Sequence, residues 1–136
     1  MSHTPSVLFI CVKNGGKSQM AAGLMRKAVG DTVEVHSAGT NPGTAVNSLS
    51  AQSLLEVGVD LTGERPTPID PDLLARMDYV VTLGSEAKVD EVDGPRFENW
   101  DTDEPSERGI DGIERMRLVR DDISSRVEIL ADRLRR

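Results

Sequence analysis

The chain has 136 residues, 38% of them hydrophobic and 29% charged, with a net charge of −7. That length suits one domain (residues 1–136) around a single core, and no apolar run reaches the ~18 residues that a membrane helix needs. The acidic balance, with no basic stripe, excludes a general nucleic-acid binder, and a single cysteine excludes an internal disulfide framework while fitting a reducing, cytoplasmic setting.

The N-terminal Met1-Ser2-His3-Thr4-Pro5 lacks a basic-then-apolar signal pattern and leads straight into a strand. Residues 6–12, nearly all apolar, read as a central strand buried on both faces. A helix is expected over 18–28, ending near Gly30, with Met20, Leu24 and Ala28 recurring at four-residue spacing. A second strand is expected over 33–37. Residues 48–57 read as a helix with Leu54 and Leu55 inward, stopped by Gly58. Asp70 is placed to cap a short helix over 71–77, with proline in its first turn. Residues 79–83 form a third strand and 96–100 a weaker fourth, followed by an acidic loop over 101–107. The last segment is the clearest helix: Met116, Val119, Ile123, Val127, Leu130 and Leu134 recur at three or four. Alternating strands and helices point to a doubly wound α/β fold, a four-stranded parallel sheet with helices on both faces. In such folds ligands sit beyond the carboxyl ends of the strands. Cys11–Ser18, Gly84-Ser85 and the acidic loop all fall there.

Cys11 opens the octet Cys11-Val12-Lys13-Asn14-Gly15-Gly16-Lys17-Ser18 where the first strand breaks into a Gly-rich loop. A nucleotide-binding loop would need a glycine at position 11 to permit its tight turn, so that reading is disfavoured. The stronger reading makes Cys11 a nucleophile in an anion cradle. Amides of residues 12–17 would turn inward at a helix N-terminus, a field that favours a thiolate over a thiol. Lys17 would add fixed positive charge, and Ser18 would donate to the sulfur. The bland alternative is a small buried strand-end hydrophobe.

The pattern Cys11-x5-Lys17-Ser18-Gln19-Met20-Ala21, with His36-Ser37-Ala38-Gly39-Thr40 and Trp100-Asp101-Thr102-Asp103-Glu104-Pro105, resembles the low-molecular-weight protein tyrosine phosphatases and the arsenate reductases that share their fold. Lys17 stands where that family carries arginine, so the planar two-pronged clamp is missing. The segment Leu83-Gly84-Ser85-Glu86 lacks the cysteine that thioredoxin-linked relatives use to relay electrons. Glu104 stands in place of the aspartate before the proline. The first two departures are similar to the single-cysteine arsenate–mycothiol transferases. The resemblance implies that Cys11 engages arsenate while Lys17 and the loop of Val12, Lys13, Asn14, Gly15, Gly16 and Ser18 hold its oxygens. Glu104, or else Asp103 or Asp101, would protonate the departing oxygen. Mycothiol would then take the arsenic as co-substrate, and a mycoredoxin would release arsenite. No bound cofactor and no metal are expected, because Ala22 stands where an acidic potassium ligand would be. A monomer is the expectation.

Asn14 reads either as a brace through side-chain hydrogen bonds or as a left-handed turn residue, and Ser37 as support for the loop from the neighbouring strand. His36 reads as packed or solvent-facing, and His3 as an inert tail residue. Lys13 would attract the anion or a negatively charged partner, or simply be exposed. The rival functions are phosphatase action on phosphotyrosine peptides or small phosphoesters, and a non-catalytic oxyanion-binding module.

Overall fold

A computed structural model describes residues 3–135. Its elements are β1 (Ser6–Cys11), α1 (Lys17–Val29), β2 (Glu34–Gly39), α2 (Ser48–Leu55), α3 (Pro71–Ala75), β3 (Tyr79–Leu83), β4 (Arg96–Trp100), a 3-10 turn (Pro105–Arg108) and α4 (Gly112–Leu134). The four strands lie in the order β2-β1-β3-β4, and every pairing is parallel. The fold is α/β and doubly wound, as expected.

The apolar run of β1 is explained by its central place. Val7 and Phe9 point into a core shared with α1, α2 and α4. Leu8 and Ile10 point to the opposite face, where Leu74, Met77 and Val80 pack. Alternation along one strand thus feeds two separate cores. Phe9 also meets Trp100 with ring centroids 5.6 Å apart, tying the middle of the sheet to the end of β4. Cys11 continues the Val7–Phe9 row, which places its sulfur on the face covered by α1.

Asp70 caps α3 as expected, its carboxylate accepting from the amides of Asp72 and Leu73. One inward assignment fails. Leu54 is fully buried but Leu55 is 57% exposed, because successive helical positions differ by ~100° and only the Ser50–Ser53–Leu54 side of α2 packs on the core. Ala28 is exposed, and Met25 and Val29 take the inner face at the end of α1. α2 and α3 each stop two residues before the expected end, and β2 runs on to Gly39 in register with Cys11. No described helix is long and apolar enough to cross a membrane.

Candidate active site

The chain leaves β1 at Cys11 and re-enters regular structure at Lys17, so the intervening loop must turn within five residues. A neighbouring segment fixes that turn from outside. The amides of Thr40, Asn41, Gly43 and Asn47 donate to the carbonyls of Cys11, Val12, Lys13 and Gly15. With its carbonyls held outward, the loop turns its own N–H groups toward its centre. The amides of Lys13, Gly15 and Gly16 find no protein acceptor among the described residues. The approach is close: a Cβ on Gly15 would lie 2.9 Å from the Ala45 carbonyl, and one on Gly39 would lie 2.7 Å from the Val12 carbonyl. Only glycine fits at either position.

α1 begins at this loop with no side-chain cap and no acidic residue in its first turn, so its positive end is left unspent. Cys11 Sγ receives the Asn14 amide at 3.2 Å and lies 2.9 Å from Ser18 Oγ. The thiol therefore sits at the base of a ring of donors.

Asn14 holds the ring together. It is fully buried and is the only non-glycine residue with positive φ among the described residues, at 54°. Both expectations for it hold at once. Its Nδ2 donates to Ser18 Oγ at 2.7 Å, and its Oδ1 accepts from the Thr67 amide and from Gln19 Nε2. Gln19 also donates to the Asn14 carbonyl and to the Arg65 carbonyl. Gln19 appears in the sequence only as part of the motif that follows Ser18, and Thr67 in no motif, since nothing local marks their reach across the fold.

Ser37 does not brace the loop with its side chain. It pairs with Phe9, two residues before Cys11, and its carbonyl accepts from Thr67 Oγ1. Its contribution runs through Thr67. His36 hydrogen-bonds to Glu34, on the strand and away from the loop. His3 is bound to Asp78 at 2.8 Å.

The acidic loop is arranged differently from expectation. Glu104 accepts from Arg115 Nε at 2.7 Å and Nη2 at 2.8 Å, and from Ser106 Oγ. The Arg115 guanidinium, with the Ser106 bonds in support, holds the Glu104 carboxyl down at about 2. Near neutral pH it is an ion and not a proton donor in this arrangement. Asp103 is likewise paired with Arg108, at 2.8 and 3.1 Å, and lowered. Asp101 has no ion-pair partner among the described residues and lines a cavity of about 360 Å³ together with Val12, Lys17, Thr102 and Glu104. Thr102 Oγ1 is buried there without a hydrogen-bond partner.

Lys17 stands between two cavities. On one side is the acidic hollow just described. On the other is a larger one of about 560 Å³, lined by Lys13, Gly15, Gly16, Lys17 and Arg115 and floored by Met20, Met116 and Val119. Lys17 Nζ lies 4.0 Å from Glu104 Oε1. No aromatic side chain lines either cavity, and no cluster of three or more His, Cys, Asp or Glu among the described residues could hold a metal ion. Cys11 itself is buried, 8% exposed, and lines neither cavity; Gly15, Gly16, Lys17 and the uncapped start of α1, which face the larger one, supply positive potential for an oxyanion there.

A parallel four-stranded sheet carrying a cysteine-led anion loop at the end of β1 defines a class, and comparison names it. Residues 6–136 match the family described as low molecular weight phosphotyrosine protein phosphatase, and the chain belongs to that family. Within it the chain is similar to arsenate reductases. Arsenate reductase 1 of Staphylococcus epidermidis is 36% identical over 132 residues, covering 95% of this chain and 97% of that protein. The structure of a Corynebacterium glutamicum thioredoxin-dependent arsenate reductase superposes with a TM-score of 0.82 at 32% identity; the match covers 98% of this chain but 63% of that longer one. An arsenate reductase solved in its phosphate binding state gives 0.83 at 28% identity, covering 96% and 98%.

Proposed function

We propose that the protein is a cytoplasmic arsenate reductase of the thiol-transferase type, handing arsenate to mycothiol. The observation that carries this reading is a lone Cys11 seated in an amide ring at the start of α1. The similarity to arsenate reductases supports the substrate, and the absence of a second cysteine supports an external thiol.

Cys11 thiolate attacks arsenic; the As–O bond breaks, and the oxygen leaves as water after taking protons. The loop amides and Lys17 hold the remaining oxygens. The mycothiol thiolate then displaces Cys11 from arsenic. No electron has moved to arsenic at that point. Reduction follows when a mycoredoxin thiolate attacks the mycothiol sulfur. That forms a mixed disulfide and leaves the electron pair of the S–As bond on arsenic, which departs as arsenite.

The test is NADPH consumption by purified protein with arsenate, mycothiol, mycoredoxin and its reductase. Substituting thioredoxin and its reductase for the mycothiol system should abolish turnover; turnover with thioredoxin alone would overturn the external-thiol reading. Phosphomonoester hydrolysis is the second reading, favoured by the family to which the chain belongs. Lys17 in place of a forked clamp, and cavities without aromatic walls for a phosphotyrosine ring, weigh against it.

A further inference from the structure

We infer that Arg115 is an oxyanion-binding residue of this site, supplying from α4 the guanidinium fork that the Cys11 loop lacks. The inference rests on the reading that an arsenate-like anion binds over Cys11, and adds a ligand to that site.

Four observations converge. First, the loop's own side-chain cation is Lys17, a point charge with no planar pair of donors. Second, Arg115 lines the same 560 Å³ cavity as Lys13, Gly15, Gly16 and Lys17, so a guanidinium does face the loop from across the hollow. Third, its place on α4 is one that the helix alone would not favour for a cation, so Arg115 is held there by Glu104. It lies near the start of α4, at the positive end of the helix dipole, where a cation is repelled. Neighbouring arginines of α4 are used otherwise: Arg117 and Arg120 both pair with Glu56 on the far side.

The fourth observation is the company Arg115 keeps. Its Nε and Nη2 grip both oxygens of Glu104, the parallel geometry by which guanidinium holds a carboxylate or one face of a phosphate-like anion. Glu104 is therefore a stand-in for the oxyanion, placed 4.0 Å from Lys17. Nη1 makes no hydrogen bond to the described residues, so one donor is available before the pair opens. Glu104 and Arg115 are both already about 70% shielded from water, with side-chain exposures of 28% and 29%. Exchanging a carboxylate for an incoming dianion thus swaps one partner for a stronger one. It also releases Glu104 beside the bound anion, where a carboxyl that has lost its arginine takes up a proton more readily and can serve the leaving oxygen.

The experiment measures protection of Cys11 in the full chain against iodoacetamide by arsenate, and separately by inorganic phosphate. For Arg115→Ala the half-protecting concentration should rise at least tenfold. Arg115→Lys should recover only part of that loss, since a point charge returns without the fork. The double variant Lys17→Arg/Arg115→Ala should return to within threefold of wild type, because a fork on either element serves. Thermal melts check folding, and Arg115→Lys stands in if Arg115→Ala melts early. Unchanged protection in Arg115→Ala, full recovery in Arg115→Lys, or no rescue in the double variant would each overturn the inference, the last by showing that Arg115 merely ties α4 to the acidic loop. Failure of both anions to protect the wild type would instead sink the arsenate reading itself.

Discussion

The Ser18 hydroxyl lies 2.9 Å from Cys11 Sγ while accepting from Asn14 Nδ2 at 2.7 Å. Asn14 occupies one acceptor site on Oγ, and either Oγ or a Cys11 thiol can donate across the 2.9 Å contact. When the sulfur attacks arsenic, and again when it leaves, Ser18 is the member of the pair that has a proton to donate. Cys11→Ser should remove all arsenate-dependent turnover. Ser18→Ala keeps the loop backbone and loses one hydrogen bond to a charged atom, worth ~1.5–3 kcal/mol. The expected fall in kcat/KM is about 10–100-fold, measured in the coupled NADPH assay. A loss under twofold would show that the amides alone activate the sulfur.

Asn14 carries two separable duties, a left-handed backbone and a buried hydrogen-bond hub. Asn14→Gly keeps the first and discards the second; Asn14→Ala discards both. Left-handed φ costs a Cβ-bearing residue ~1–2 kcal/mol. Orphaned buried groups, here the Thr67 amide and Gln19 Nε2, cost ~1–3 kcal/mol each. Both variants should therefore be destabilised in urea titrations, with Asn14→Ala the worse by about 1 kcal/mol. Equal losses would mean that the backbone conformation is unstrained.

What could be read from sequence, and what could not, follows the range of the interactions. Cys11, Asn14 and Ser18 lie within eight consecutive residues, so their juxtaposition followed from a strand–loop–helix reading. The sheet followed because β1 feeds two cores and shows it as an unbroken apolar run. Gly15 is visible in the sequence only as part of a Gly-rich loop, whereas its necessity comes from the Ala45 carbonyl, a spatial neighbour with no local signature. The bracing contacts of Gln19 and Thr67 are hidden from the sequence for the same reason. Glu104 was found by its Trp-before, Pro-after context, but the protonation state expected of it depended on Arg115, eleven residues on and one arginine among several on α4.

The Glu104–Arg115 pair should be visible in the pH dependence of stability. The free carboxyl titrates near ~4.3, and in the folded protein Arg115 lowers it to about 2. A depressed folded value means that the contribution is complete above the unfolded value and fades as pH falls toward the folded one. Glu104→Gln should therefore cost stability at pH 7, on the order of 1 kcal/mol once partial exposure is allowed for. That deficit should shrink through the acid range and be nearly gone by pH ~2. Chemical unfolding of wild type and variant at matched pH isolates this pair from Glu34–Arg76 and Asp103–Arg108, which titrate equally in both proteins. A deficit independent of pH would mean that Glu104 is not held as an ion.

Lys17→Arg tests whether a second fork, presented from the loop opposite Arg115, turns the site toward phosphoester hydrolysis. Lys17 begins α1 and borders both cavities, so an arginine there would project its fork into the same region from the loop side. Bidentate contact to two equatorial oxygens strengthens as phosphoryl transfer spreads charge over them. Hydrolysis of p-nitrophenyl phosphate should rise at least tenfold over wild type, in kcat/KM. The gain should be larger when Glu104 is retained than in Lys17→Arg/Glu104→Gln, because phosphoester cleavage also needs a proton for the leaving oxygen. On the exchange inferred above, Arg115 turns from Glu104 to the bound anion, and the released carboxyl takes up a proton more readily. Absence of any gain, in a variant that still shows arsenate protection of Cys11, would mean that the lack of a fork at position 17 is not what limits phosphoester chemistry here.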